Sequence, residues 1–256
     1  MVYPDRIVDF AFCPYPCYQY LADLADPEDW GPDNRILLNY IDFTYRRAAY
    51  LQERVDEEGR GKSFIVLDGD FACFNTGLFT PRFEAIYALF QPNNRPDAQP
   101  WFLKGFFKSS DLALSEVDVL PARVHYTDNP ADLIYDFHLR VRPNIDHILG
   151  DENNLARIPE QLRGKGNECL LRRAFEGAVA EAERRAAANY TIAVPQYYNG
   201  RIQLLLPLCL TGSQPELALT ICREDGFYSA RTCLTLDMAY NNARQICRPM
   251  ASWLAK

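Results

Sequence analysis

Between two apolar runs in the last third of the chain stands the dipeptide Asn199-Gly200, in the stretch VPQYYNGRIQLLLPLCL. Asparagine and glycine both tolerate the positive φ that the central residues of a type I′ turn require. The pair therefore predicts a hairpin and fixes which residues of its strands face each other. Two more strands and a closing helix complete the stretch, the helix carrying Tyr240, Asn241, Asn242 and Arg244 after Leu236-Asp237. Asp237 is the expected N-cap. Ahead of the hairpin, Leu170, Leu171, Ala174, Phe175, Ala178, Val179 and Ala182 recur at helical spacing and predict a long helix from Asn167 to Ala188 with one apolar face.

The same order of elements occurs earlier. Ile36, Leu37, Tyr40, Ile41, Thr44, Tyr45, Ala48, Leu51 and Val55 mark a helix from Asn34 to about Glu58 that ends at Gly59. Strands over 64–67, 71–78, 84–91 and 101–107 follow, the first two joined at Asp68-Gly69-Asp70. The two turns lie about 131 residues apart, and each helix keeps its distance from its turn. An α+β fold is expected, built from two similar helix-plus-antiparallel-meander units over 34–108 and 167–248 and related by a pseudo-twofold axis. One continuous sheet is the alternative. An aromatic arm over 1–33 and an irregular linker over 109–166 complete a single domain; the linker holds a short strand at His138–Arg142 and a short helix from Pro143 to Leu149.

Composition narrows the function. At 256 residues, 48% of them hydrophobic, the chain can bury a substantial core. Its formal net charge of -7 argues against non-specific nucleic-acid binding over the whole surface and leaves room for a local basic site. Most of the eight cysteines lie within apolar patterns, and Cys13 and Cys17 have no second pair to complete a zinc site. No apolar run is long enough to span a membrane, and the opening MVYPDRIVDF lacks signal character, so a cytoplasmic protein with reduced thiols is expected. Walker, GxGxxG, HExxH and GxSxG motifs are absent.

Three polar islands remain inside apolar surroundings. Asn75-Thr76-Gly77 ends a strand, where a glycine lets backbone amides approach an anion or a base, or else marks a bulge satisfied by its own side chains. Arg140, Arg142, Asn144, His147, Asn154 and Arg157 combine forked phosphate donors with a histidine that titrates near neutrality. Tyr240, Asn241, Asn242 and Arg244 place amides and a guanidinium on the closing helix, to meet a ligand or to cap neighbouring strands. Gln196, Tyr197, Tyr198 and Arg201 add an aromatic and basic surface around the second hairpin, suited to stacking a base or to filling an interface.

These residues also carry a resemblance. FNTGL at 74–78, HIL at 147–149, Arg157-Ile158-Pro159, NYTIAVPQYYNGRIQLLLPLCL from Asn189, TCLTLDMAYNNAR and the terminal Trp253-Leu254 resemble the family known as domain of unknown function 3825. The likeness covers nearly the whole chain and is most specific in its C-terminal third. Members of that family joined to cold-shock or other small RNA-binding domains imply work on RNA or nucleotides, and the resemblance brings no catalytic assignment with it.

The expectation is a protein that binds RNA or a nucleotide in a cleft lined by the three islands. Arg140, Arg142, Arg157 and Arg244 would hold phosphate, Asn75, Asn241 and Asn242 would read a base or ribose, and His147 would act as general acid or base at a phosphodiester or glycosidic bond. No cofactor is expected, although Asp68, Asp70 and Asp237 offer oxygen ligands to a divalent metal. The rivals are a non-catalytic binding module for RNA, a nucleotide or a partner protein, and a structural scaffold whose islands are buried and internally bonded.

Overall fold

The computed structural model describes residues 3–164 and 166–255, which divide into two compact units at His125/Tyr126. In the first, α1 (Ile7–Phe10) leads into β1 (Ala11–Phe12), followed by α2 (Tyr15–Leu24), α3 (Arg35–Glu58), β2 (Ile65–Leu67), β3 (Ala72–Phe79), β4 (Ala85–Pro92) and β5 (Trp101–Lys108). In the second, β6 (Arg140–Pro143), α4 (Ile145–Gly150), α5 (Glu152–Arg157) and α6 (Glu168–Ala188) precede β7 (Val194–Tyr198), β8 (Arg201–Leu208), β9 (Leu217–Glu224), β10 (Phe227–Thr235) and α7 (Leu236–Arg244).

Each unit holds one five-stranded sheet, in the orders β1-β5-β4-β3-β2 and β6-β10-β9-β8-β7. The two orders describe one topology. A short strand comes first, a long helix crosses over, four strands run as an antiparallel meander, and the short strand pairs in parallel with the last of them. Parallel neighbours require such a crossover, which α3 and α6 supply. The expected α+β class with helix-plus-meander units stands. The short strand expected at His138–Arg142 is β6, whereas β1 was not legible, because it has only two residues and shows no alternation.

Helix α3 ends where its sequence says it should: Gly59 takes φ 63 and its N–H caps the Val55 carbonyl. Its face packs on the first sheet, with the Tyr45 ring 4.9 Å from Phe10 and 5.9 Å from Phe74. Helix α6 buries Leu171, Phe175, Ala178, Val179 and Ala182 against Leu204, Leu206, Leu219 and Ile221 of β8 and β9. Each of the leucine, isoleucine, valine and phenylalanine side chains so removed from water contributes about 1.5–3 kcal/mol. Leu170, expected on the same face, is 55% exposed; it sits one helical step away from the stripe, in the first turn.

The hairpins differ. Asn199 and Gly200 take φ 48 and 78, and Tyr198 pairs directly with Arg201, giving the two-residue turn the dipeptide requires. At Asp68-Gly69 the strands also pair, but from Leu67 and Ala72, so the loop spans Asp68–Phe71 and closes through Asp68 N–H to the Phe71 carbonyl at 2.8 Å. Gly69 keeps a negative φ there, and its N–H donates to the Asp68 carboxylate. The turn signature placed the reversal correctly and its length wrongly.

Phe175→Ala is expected to cost about 3–5 kcal/mol in urea unfolding because its site is fully closed, whereas Leu170→Ala should stay within about 0.5 kcal/mol of the parent.

Candidate functional site

The first island is a bulge. Pairing of β3 with β4 runs to Asn75↔Tyr87 and resumes at Phe79↔Ala85. Asn75 Oδ1 accepts the Gly77 N–H at 2.9 Å, and its Nδ2 donates to the Pro121 carbonyl at 3.4 Å. Thr76 Oγ1 donates to the Ile86 carbonyl at 2.6 Å, while Tyr40 Oη donates to the Thr76 carbonyl at 2.9 Å. Gly77 takes φ 75, and a Cβ there would stand 2.6 Å from Tyr40 Oη. Asn75, Thr76 and Gly77 are all buried, so the glycine serves the backbone of the bulge.

The second island comes apart into two groups. Asn154, 3% exposed, accepts at Oδ1 from Thr232 Oγ1 (2.8 Å), the Cys233 N–H (3.3 Å) and Arg157 Nη1 (3.2 Å). Arg157 Nη1 also donates to the Cys233 carbonyl at 2.6 Å. Together they pin α5 to β10 just past the irregularity between Ala230 and Thr232. Asn144 caps α4 by accepting the His147 N–H. His147 itself is exposed, and its ring hydrogen-bonds to no described residue. Arg140 and Arg142 lie elsewhere, on the edge strand β6.

In the third island, Thr235 rather than Asp237 caps α7, accepting the Met238 N–H at 3.3 Å; the helix starts two residues earlier than its acidic side chain suggested. Asn241 Nδ2 donates to the Asp237 carbonyl within the helix. Asn242 Nδ2 donates to Gln196 Oε1 at 3.0 Å, and Gln196 Nε2 donates to Gln203 Oε1 at 2.8 Å, which ties α7 to the second sheet. Tyr240 and Arg244 are buried. Among the described residues no three His, Cys, Asp or Glu side chains converge as a metal site, those of Asp68, Asp70 and Asp237 included.

What the fold assembles instead is the hairpin end of the sheet face turned away from α6, next to the part of that face where α7 closes over buried Gln196. Tyr198 pairs with Arg201, Phe227 with Glu224, and Phe227 with Arg140. Leu204↔Ile221 sets the register that brings Arg201 opposite Glu224, and their side chains meet at 3.7 Å. One row therefore crosses all five strands: Tyr198, Arg201, Glu224, Phe227, Arg140. The next is Gln196, Gln203, Cys222, Ser229, Arg142. Tyr198 is 53% exposed and the Arg201 side chain 61%, while Arg140, 83% exposed at the sheet edge, reaches round to Glu183 of α6 in a loose contact at 3.7 Å. The Arg142 guanidinium lies over the Phe227 ring, 4.7 Å from its centroid. Arg231, exposed, stands at the β10 irregularity beside this face.

Alternation along the strands explains the polarity. Leu204, Ile221, Tyr228 and Ala230 face α6 and are buried, so their neighbours must face the other way. Burial pushes the Cys222 thiol up, opposed by Arg201 and Arg231 and reinforced by Glu224. In the first unit the face opposite α3 is apolar: Cys73, Tyr87 and Leu89 are covered by Leu114 and Val117.

A cavity of about 320 Å³ opens between residues 126–132 and β8–β9, lined among others by Thr127, Asp132, Arg201 and Arg223. Two of its charged groups, Arg223 and Asp132, are already engaged. Arg223 pairs with Asp136 at 3.0 Å, and Asp132 accepts from Thr127 and Asn129. The polar rows offer more uncommitted chemistry. Of their residues, Gln203, Glu224, Phe227, Ser229 and neighbouring Arg231 escaped notice in the sequence, and Cys222, read there as a small buried hydrophobe, is only half-buried; the period-two alternation of β8, β9 and β10 would have put the row residues on one face.

The molecule is thus a tandem α+β protein in which one helix-backed sheet keeps an open, arginine-bearing strip on its other face, beside α7. It belongs to the family described as "Domain of unknown function (DUF3825)", which it matches over residues 21–253. Comparison with curated proteins and with solved structures gives no match.

Asn154→Ala should destabilise the protein by about 2–3 kcal/mol, since three donors lose a buried acceptor. His147→Ala, made as its control, should unfold within about 0.5 kcal/mol of the parent.

Proposed function

We propose that the protein binds RNA or a nucleotide on the open face of its second sheet. The observation that carries this is the row of Tyr198, Arg201 and the Arg142–Phe227 stack, left uncovered on a chain of net charge -7. Aromatic rings on a sheet offer stacking to bases, and guanidinium forks suit phosphate oxygens. The acidic remainder of the surface repels long polyanions and favours short ligands.

Binding without bond cleavage is the part the geometry supports. A general acid or base is ordinarily oriented by a partner, and the His147 ring has none among the described residues. Arg140 and Arg142 keep the phosphate-holding role and Arg201 takes it up in place of Arg157 and Arg244, while Asn75, Thr76, Asn154, Arg157, Gln196 and Asn242 maintain the framework.

Binding should weaken with salt at a slope of log K against log[salt] near -2, for about three phosphate contacts to a single strand, and Arg142→Ala with Arg201→Ala should flatten that slope. Mass analysis of the incubated ligand completes the test. An intact ligand and unchanged affinity in His147→Ala are expected; a ligand altered by the parent and spared by that variant would restore catalysis. Affinity only for an acidic peptide would replace the nucleotide with a protein partner.

A further inference from the structure

Resting on that assignment, we propose that the ligand is a single-stranded RNA segment of at least three nucleotides, and that Glu224 distinguishes ribose from deoxyribose. Tyr198 on β7 and Phe227 on β10 lie three strand steps apart in one row, a separation of roughly 14 Å. Stacked bases on one strand are only about 3.4 Å apart, so no single base touches both platforms. The two bases must be splayed from the strand, which duplex RNA forbids and single strands allow. A mononucleotide reaches one platform and gains half of the contact.

Glu224 is the residue that pure phosphate binding leaves unexplained. It stands in the row between Arg201 and Phe227, where a carboxylate repels phosphate. It accepts from Ser229 Oγ at 2.9 Å and keeps Arg201 at 3.7 Å, a loose contact that leaves acceptor capacity on the carboxylate. A ribose 2′-OH is a donor that meets this need, and a deoxyribose offers nothing in its place. Gln203 and Ser229 in the adjoining row supply further polar atoms.

The test is fluorescence anisotropy with labelled oligouridines from the mononucleotide to the hexanucleotide, and with the matching oligodeoxyuridines. Affinity should rise by about tenfold per added platform contact up to the trinucleotide and flatten beyond it, and RNA should bind about tenfold tighter than the DNA of equal length. Tyr198→Ala, at an exposed position, should lose about tenfold in trinucleotide affinity while leaving mononucleotide binding at the other platform. Glu224→Ala should bind RNA and DNA equally, whatever it does to absolute affinity. Ser229→Ala, which breaks the same hydrogen bond but keeps the carboxylate, should retain the preference and so separates recognition from folding damage. Alkylation of Cys222, in the middle of the second row, should slow when RNA is bound.

A mononucleotide that binds as tightly as the hexanucleotide would overturn the segment length with the binding assignment intact. Equal affinity of the parent for RNA and DNA, or an undiminished preference in Glu224→Ala, would overturn the role of Glu224. If no nucleotide or oligonucleotide binds at any salt concentration, the broader binding assignment falls as well.

Discussion

The second sheet depends on one contact, the burial of its inner face beneath α6. Phe175, Val179 and Leu171 close over Leu204, Leu206 and Ile221, and that closure decides which way every strand points. Because side chains alternate, sealing Leu204 and Ile221 inside obliges Gln203 and Cys222 to point outward. The register of the Asn199-Gly200 turn then lines up Tyr198 with Arg201, and the β9–β10 register lines up Glu224 with Phe227. The open row is a by-product of core packing plus two hairpin registers; no loop has to be positioned to create it.

The first unit shows what the same topology does under a different outer face. Its sheet carries Cys73, Tyr87 and Leu89 away from α3, and an apolar outer face must be covered. Leu114 and Val117, from the segment after β5, provide the cover, and Asn75 holds that segment through the Pro121 carbonyl. The polar residues of the two units accordingly do different work. Asn75, Thr76 and Gly77 reconcile a bulge with a lid, whereas Arg142, Arg201 and Glu224 face outward with side-chain capacity to spare.

Much of the polar chemistry visible along the chain turns out to serve closure of the fold. Asn154 and Arg157 satisfy backbone and hydroxyl groups where β10 departs from regular pairing, and Gln196 with Asn242 ties a helix to a sheet. A buried amide and a ligand-reading amide look alike in sequence, since both appear as polar interruptions of an apolar pattern. What separates them is whether the partner comes from the same chain, and those partners lie dozens of residues away, as Cys233 does from Asn154.

Sequence by itself determined the local elements: the long helices from their spacing, the reversal at Asn199-Gly200 from its φ tolerance, the glycine stop of α3, and from these the repeated helix-plus-meander order. Backbone preference and apolar periodicity are local properties, so they can be read locally. The parallel pairing of β1 with β5 and of β6 with β10, the four-residue loop at Asp68, the Thr235 cap and the fate of each polar island belonged to the tertiary structure alone. So did the gathering of Tyr198, Arg201, Glu224, Phe227 and Arg140 into one row, because strands distant in sequence become neighbours only once a common core has set their register.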